Sequence, residues 1–124
     1  MVHLYTDGTV LVSHGGTEMG QGLHTKMAQV AARVFGIAAT DVHVEETATD
    51  KCANQSPTAA SVSSDIYGMA VLDACEQINV RLKDVRAKLE PSASLKEVAN
   101  AAYFERINLS AQVRSVFQPL TCFE

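Results

Sequence analysis

Apolar residues at Val71, Cys75, Ile78, Leu82, Val85 and Leu89 step along the chain by four and three, the spacing that places side chains on one face of a helix. The stripe predicts a long helix over roughly Ser63 to Leu89. Glu90-Pro91-Ser92 ends it, because proline lacks the N–H that a helix interior requires. A chain of 124 residues has room for one ordinary domain or part of one, so every shorter element must share a core with this helix.

Those shorter elements follow from local pattern. Residues 3–14 contain two brief β-prone runs joined by Asp7-Gly8, a dipeptide suited to the positive φ of a tight turn, and they predict a β-hairpin. Leu23, Met27, Val30, Ala31 and Val34 share one helical face, which predicts a first helix from about Gln21 to Phe35 with Gly36 as its stop. Val42-His43-Val44 reads as a short strand that passes into a polar loop, Glu45 to Thr58. Ser92 or Ser94 is placed to cap a third helix near Leu95 to Phe104, and Ile107 to Val113 reads as a returning strand. The order β-β-α-β-α-α-β predicts an α+β fold, a small mixed sheet with two main helices packed on one face. The chain carries no internal repeat and no low-complexity tract.

Composition removes several classes of function. Hydrophobic residues are 47% and charged residues 19%, so the chain can build a packed core and is not disordered throughout. Ten Lys and Arg against 14 Asp and Glu give a net charge of -4, which offers no broad basic footprint for nucleic acid or an anionic membrane. No apolar run approaches the roughly 18 to 20 residues of a membrane span, and the amino terminus has no signal pattern. Cys52, Cys75 and Cys122 are odd in number and widely spaced, which points to a reducing, cytoplasmic setting rather than a disulfide framework.

Two loops carry the chemical interest. Gly15-Gly16-Thr17-Glu18-Met19-Gly20-Gln21-Gly22 precedes the first helix, and its four glycines permit sharp turns and close approach. Free N–H groups at a helix start suit an anion such as phosphate. A structural turn explains the same glycines, and the segment matches neither the nucleotide-triphosphatase loop, with Gln21-Gly22 where Lys and Ser or Thr are required, nor the dinucleotide fingerprint, with Thr25 where Gly is required. Ser56-Pro57-Thr58-Ala59-Ala60-Ser61-Val62-Ser63-Ser64 precedes the long helix with a supply of hydroxyls, which either cap that helix or, paired with the glycine loop, clamp a polar ligand.

Single residues say less. His14 and His24 bracket the glycine loop, and Cys52 or Glu18 could join them on a metal, but the spacing is not specific for one. Cys75 lies on the apolar stripe and reads as a small buried hydrophobe. Glu45 and Glu46, adjacent on a strand, would face opposite ways, which excludes a paired acid and base.

The run Gly15 to Lys26, followed by Asn54-Gln55-Ser56-Pro57-Thr58-Ala59-Ala60-Ser61, resembles the carboxy-terminal molybdenum-cofactor-binding region of the xanthine dehydrogenase and aldehyde oxidase family, the molybdenum hydroxylases. The likeness extends from about Leu4 to Ala111, and Ser56-Pro57-Thr58-Ala59-Ala60 is closer to xanthine dehydrogenases than to aldehyde oxidases, which tend to carry glycines there. It implies that residues 1–112 are part of a larger molybdopterin-binding domain and that 113–124 depart from the family pattern. It implies that the two loops hold a molybdenum-molybdopterin cofactor, with Met19, Gly20, Gln21, Gly22, Ala60, Ser61, Ser63 and Ser64 as cofactor-binding positions. Ala60 would lie beside the molybdenum without ligating it, since the dithiolene sulfurs of the pterin bind the metal. A small side chain there leaves room for substrate.

The same resemblance implies a parent enzyme that oxidatively hydroxylates xanthine, hypoxanthine or a related heterocycle. FAD and 2Fe-2S clusters are expected in other segments of that parent, which is expected to be a homodimer. No catalytic residue is assigned in this chain: the family's glutamate base is expected beyond residue 124, and Glu124 lacks its glycine-flanked setting. The chain thus reads as one wall of an active site, inactive alone, whose partners are the remaining parts of the enzyme. A non-catalytic, partner-binding derivative of the domain and an aldehyde oxidase fragment are the alternatives.

Overall fold

The structure is a computed structural model that describes residues 1–114; Cys122, Glu124 and most of the segment 113–124 lie outside the described residues. Its elements are β1 (Val2–Leu4), β2 (Val10–Val12), α1 (Leu23–Phe35), a single 3-10 turn at Ala39–Asp41, β3 (Val42–Val44), α2 (Ser63–Lys88), α3 (Leu95–Phe104) and β4 (Ser110–Ala111). The strands lie in the order β3-β2-β1-β4, with β1 antiparallel to both neighbours and β3 parallel to β2. This is the expected mixed sheet in an α+β fold.

Strand alternation decides which face is covered. Val2 pairs with Val12, Leu4 with Val10, and Val10 with Val42, and directly opposed residues point the same way, so these side chains form one apolar face. All five are buried, and α1 and α2 pack over them. Helix α1 lies against β2 and β3 while α2 crosses β1 and β4. The α2 stripe is the floor of this core: Val71, Ala74, Cys75, Ile78, Leu82 and Val85 are buried. Burial pushes the Cys75 thiol up to about 12, in keeping with a side chain that acts as a small hydrophobe.

The hairpin turn is wider than two residues. Tyr5 N–H donates to Thr9 O and Gly8 N–H to Tyr5 O, with Gly8 at φ 90° and the Asp7 carboxylate accepting from Thr9 N–H. Helix α3 begins with a complete capping box, in which Ser94 Oγ accepts from Glu97 N–H and the Glu97 carboxylate accepts from Ser94 N–H at 2.7 Å. It packs on α2 and reaches the hairpin through Asn100, whose side-chain amide donates to Thr6 O at 2.7 Å.

Three boundaries differ from expectation. Helix α1 starts at Leu23 rather than Gln21, because Gly20 at φ 96° and Gly22 at φ 76° hold the chain in the left-handed region until then. Its buried face takes in Ala32 and Phe35, while Val30 and Val34 are only partly buried. The returning strand shrinks from Ile107–Val113 to Ser110–Ala111, the two residues in register with β1; beyond them the pairing thins to one bond, from Leu4 N–H to Leu109 O at 2.9 Å. Arg81 of α2 fixes that short edge by donating to Asn108 O at 3.0 Å and to Ser110 O at 2.7 Å.

Candidate functional site

The glycine loop and the serine loop meet in front of the first turns of α1 and α2. Thr17 N–H donates to Thr58 Oγ1 at 2.9 Å and the Lys26 ammonium donates to Ser64 Oγ at 3.1 Å, so each loop is tied to the other. Between them lies a cavity of about 350 Å³ lined by Met19, Gln21, Leu23, Lys26, Thr58, Ala59, Ala60, Ser61, Ser63 and Ser64. Six of the eight positions proposed from sequence, Met19, Gln21, Ala60, Ser61, Ser63 and Ser64, thus line one cavity. Gly20 and Gly22 are not among its lining residues. Leu23, Lys26, Thr58 and Ala59 complete the lining; Lys26 follows Leu23 by three residues, a spacing that puts both on one side of α1.

Glycines serve two separate purposes here. A Cβ on Gly16 would lie 2.5 Å from Leu23 Cδ2 and 2.9 Å from Tyr67 Cε2, so Gly16 is required by close packing, whereas one on Gly15 would meet only the exposed Gln55 side chain, which can turn away. Around Gly20 and Gly22 a Cβ would meet nothing within 4 Å, and glycine is needed there only for positive φ.

The open row of N–H donors expected ahead of α1 is already filled. Glu18 Oε1 accepts from Gly20 N–H at 3.0 Å and from Gly22 N–H at 2.9 Å, while Oε2 accepts from His24 N–H at 2.9 Å. The chain's own carboxylate therefore stands where a phosphate was expected, and these bonds, those from His24 and Gly22 foremost, hold its pKa below the usual carboxylate range. Gln21 folds across the same loop, its Oε1 accepting from Met19 N–H and its Nε2 donating to Thr17 O at 2.8 Å. The second Nε2 hydrogen remains for another acceptor.

The start of α2 also departs from the capped helix that was the plainer expectation. Its N-cap is Val62, with no side-chain cap, and the nearby hydroxyls of Thr58 and Ser64 bond instead to Thr17 of the glycine loop and to Lys26 of α1. Ala60 and Ser61 precede it at φ 54° and 55°, a left-handed pair built from residues that carry a Cβ.

Just ahead of the glycine loop, Gly16 N–H donates to His14 Nδ1 at 3.0 Å, which places the His14 proton on Nε2, and Nε2 meets His24 Nδ1 at 2.9 Å. Both nitrogens of His14 are thus used within the fold. Burial, reinforced by the facing His24, lowers the His14 pKa to about 4, and the ring packs beside Tyr67 at 5.5 Å. Glu45 and Glu46 lie beyond the end of β3 rather than on it. Glu45 accepts from Ser13 Oγ–H at 2.8 Å and pairs with Lys51, a structural role.

Residues 1–121 match the family described as "Molybdopterin cofactor-binding domain". A curated xanthine dehydrogenase of Dictyostelium discoideum is 59% identical over 111 residues, and xanthine dehydrogenase 2 of Arabidopsis thaliana is 63% identical over 111 residues. Each alignment takes in 90% of this chain and 8% of the relative, so the chain spans under a tenth of the length of those proteins. Among solved structures, a Cu,Mo-CO dehydrogenase superposes with a TM-score of 0.78 at 22% identity over 96% of this chain and 18% of its own. Quinoline 2-oxidoreductase from Pseudomonas putida 86 gives 0.76 at 22% identity, covering 90% of this chain and 18% of its own. At that identity the likeness is one of fold. Among the described residues, no helix is long and apolar enough to cross a membrane.

Proposed function

We propose, because the chain belongs to the molybdopterin cofactor-binding domain family, that its glycine and serine loops form one wall of the cofactor pocket in a longer xanthine dehydrogenase-like enzyme. The observation that carries this reading is the meeting of Met19, Gln21, Ala60, Ser61, Ser63 and Ser64 around a single cavity. The donor set fits a polar organic group that brings its own metal ligands. It has hydroxyls, one amide and the Lys26 ammonium, a cation suited to a phosphate, and none of the lining residues is a thiol or imidazole. When bound, such a cofactor supplies the two-electron oxidation, and the rest of the pocket comes from other parts of the polypeptide.

The chain's own residues then have distinct tasks. Ser61, Ser63, Ser64 and Lys26 offer hydrogen bonds and charge to the cofactor's polar edge. Gln21 can donate its remaining amide hydrogen. Ala60 keeps space open beside the metal for a purine ring, and its left-handed φ brings the backbone to the cavity with only a methyl group projecting. The xanthine dehydrogenase names of relatives about 60% identical, as at 59% and 63%, support purines over aldehydes as substrate.

The test is Ala60→Leu in the full-length enzyme carrying this segment. Activity per bound molybdenum should fall roughly a hundredfold through misplacement of substrate, while metal and pterin content persist. Normal activity per molybdenum would show that Ala60 does not border the reacting centre.

A further inference from the structure

We propose that Glu18 is the positioning residue of this cradle, an internal anion whose carboxylate sets the glycine loop in the shape that presents Met19 and Gln21 to the cofactor. The proposal rests on the cofactor reading above. Its basis is the connectivity of residues 18–22 and the helix they lead into. Gly20 and Gly22 have positive φ, so the segment ahead of Leu23 has no helical or strand ladder to define it. What defines it is one carboxylate that gathers the N–H groups of Gly20, Gly22 and His24.

The residues so gathered alternate with the residues that line the cavity. Gly20 and Gly22 donate to Glu18, and Met19 and Gln21 between them face the space shared with Ala60, Ser61 and Ser63. Gln21 adds a second lock through Met19 N–H and Thr17 O. Glu18 also neutralises the positive end of α1, which directs an anionic ligand toward Lys26 and the start of α2, where no side chain caps the helix. A helix that needed only a start could use the short capping box that α3 has. A glutamate reaching forward over six residues to close a loop on the cavity does more than that.

Glu18→Gln keeps size and removes charge, leaving one carbonyl oxygen for three donors and setting an NH2 group against an N–H. The matched control is Ser94→Ala, which opens the α3 box far from the cavity along the chain. Both are made in the full-length enzyme, and pterin release is followed by fluorescence, with molybdenum per polypeptide measured alongside, at equal intervals below each variant's Tm. Glu18→Gln should release cofactor roughly tenfold faster than the unaltered enzyme, and Ser94→Ala at the unaltered rate. Equal release rates from the two variants would overturn the proposal. Should Glu18→Gln fail to accumulate, Glu18→Asp, which keeps charge but shortens the reach, supplies the same comparison with a smaller increase. Ser63→Ala separates this failure from failure of the cofactor reading. If Ser63→Ala speeds release and the Glu18 variants do not, the positioning role falls alone; if none of them alters release, the cofactor reading falls with it.

Discussion

The two helix starts that flank the cavity are built in opposite ways. Helix α1 begins after glycines at positive φ, with a carboxylate drawn over its first donors and the buried His14 imidazole bonded to His24 in its first turn. Helix α2 begins after Ala60 and Ser61 in the same left-handed region, without glycine and without a side-chain cap. One start is closed by a carboxylate of its own loop; at the other, Thr58 and Ser64 are bonded across to the α1 side and no side chain caps the helix. Helix α3, away from the cavity, has the self-sufficient box that satisfies a helix start and nothing else. The contrast teaches that donors at a helix end are informative about ligands only after the chain's own acceptors have been counted.

Acid should expose the difference most strongly. His14 is held neutral with its pKa lowered to about 4, so protonation is resisted in the folded state and accepted in the unfolded one. Its contribution to stability is complete above pH 6.5 and is lost as pH falls from there through 4, on the order of 3 kcal/mol at most. Amide exchange measured between pH 7 and pH 4 should show the first turn of α1 opening before the first turn of α2. If both open together, the imidazole pair does not set the α1 side apart.

A smaller effect comes from the wedge between the starts. In Gly16→Ala the new Cβ meets Leu23 of α1 and Tyr67 of α2 at once, and forcing them apart should cost about 1 to 3 kcal/mol in urea unfolding. A change within error would mean that the two starts move independently. The smallest effect has the opposite sign. Ala60→Gly relieves a left-handed alanine and should stabilise by about 0.5 to 1 kcal/mol once glycine's greater unfolded-state freedom is subtracted. A loss of stability would mean that the Ala60 methyl makes contacts worth more than its backbone strain.

Much of this architecture was legible in the residues. The stripe from Val71 to Leu89 placed α2 and its buried face, Gly36 at φ 70° ended α1 as expected, and Ser94, one of the two cap candidates, starts α3. Periodicity and capping are local codes, and these features are local. The start of α1 was misplaced by two residues because Gln21 and Gly22 fit a helical pattern while the φ of Gly20 and Gly22 does not. Glu18 was legible only as a loose metal candidate, since its bonds run forward two, four and six residues and fit no short capping motif. For the serine loop, local pattern offers self-capping and a ligand clamp side by side and cannot choose between them, because the Thr58 and Ser64 hydroxyls bond to residues some 40 positions away, a separation of 41 for Thr17 and Thr58 and 38 for Lys26 and Ser64. The short β4 had the same cause, as strand length there is set by a distant partner.

The place of β1 between β2 and β4 has a consequence for the order in which this chain is made. The β2 side of β1 closes within a hairpin, but its other side waits for Ser110 and Ala111, and the His3 imidazole waits for Ser110 Oγ, 107 residues later. At roughly 5 to 20 residues per second, a ribosome takes on the order of 5 to 20 seconds to deliver that partner. Contacts so far apart in sequence are the slow ones to form. The last described strand is therefore a latch: two residues, made late in this segment, that fix the β4 side of β1 long after its hairpin side can close.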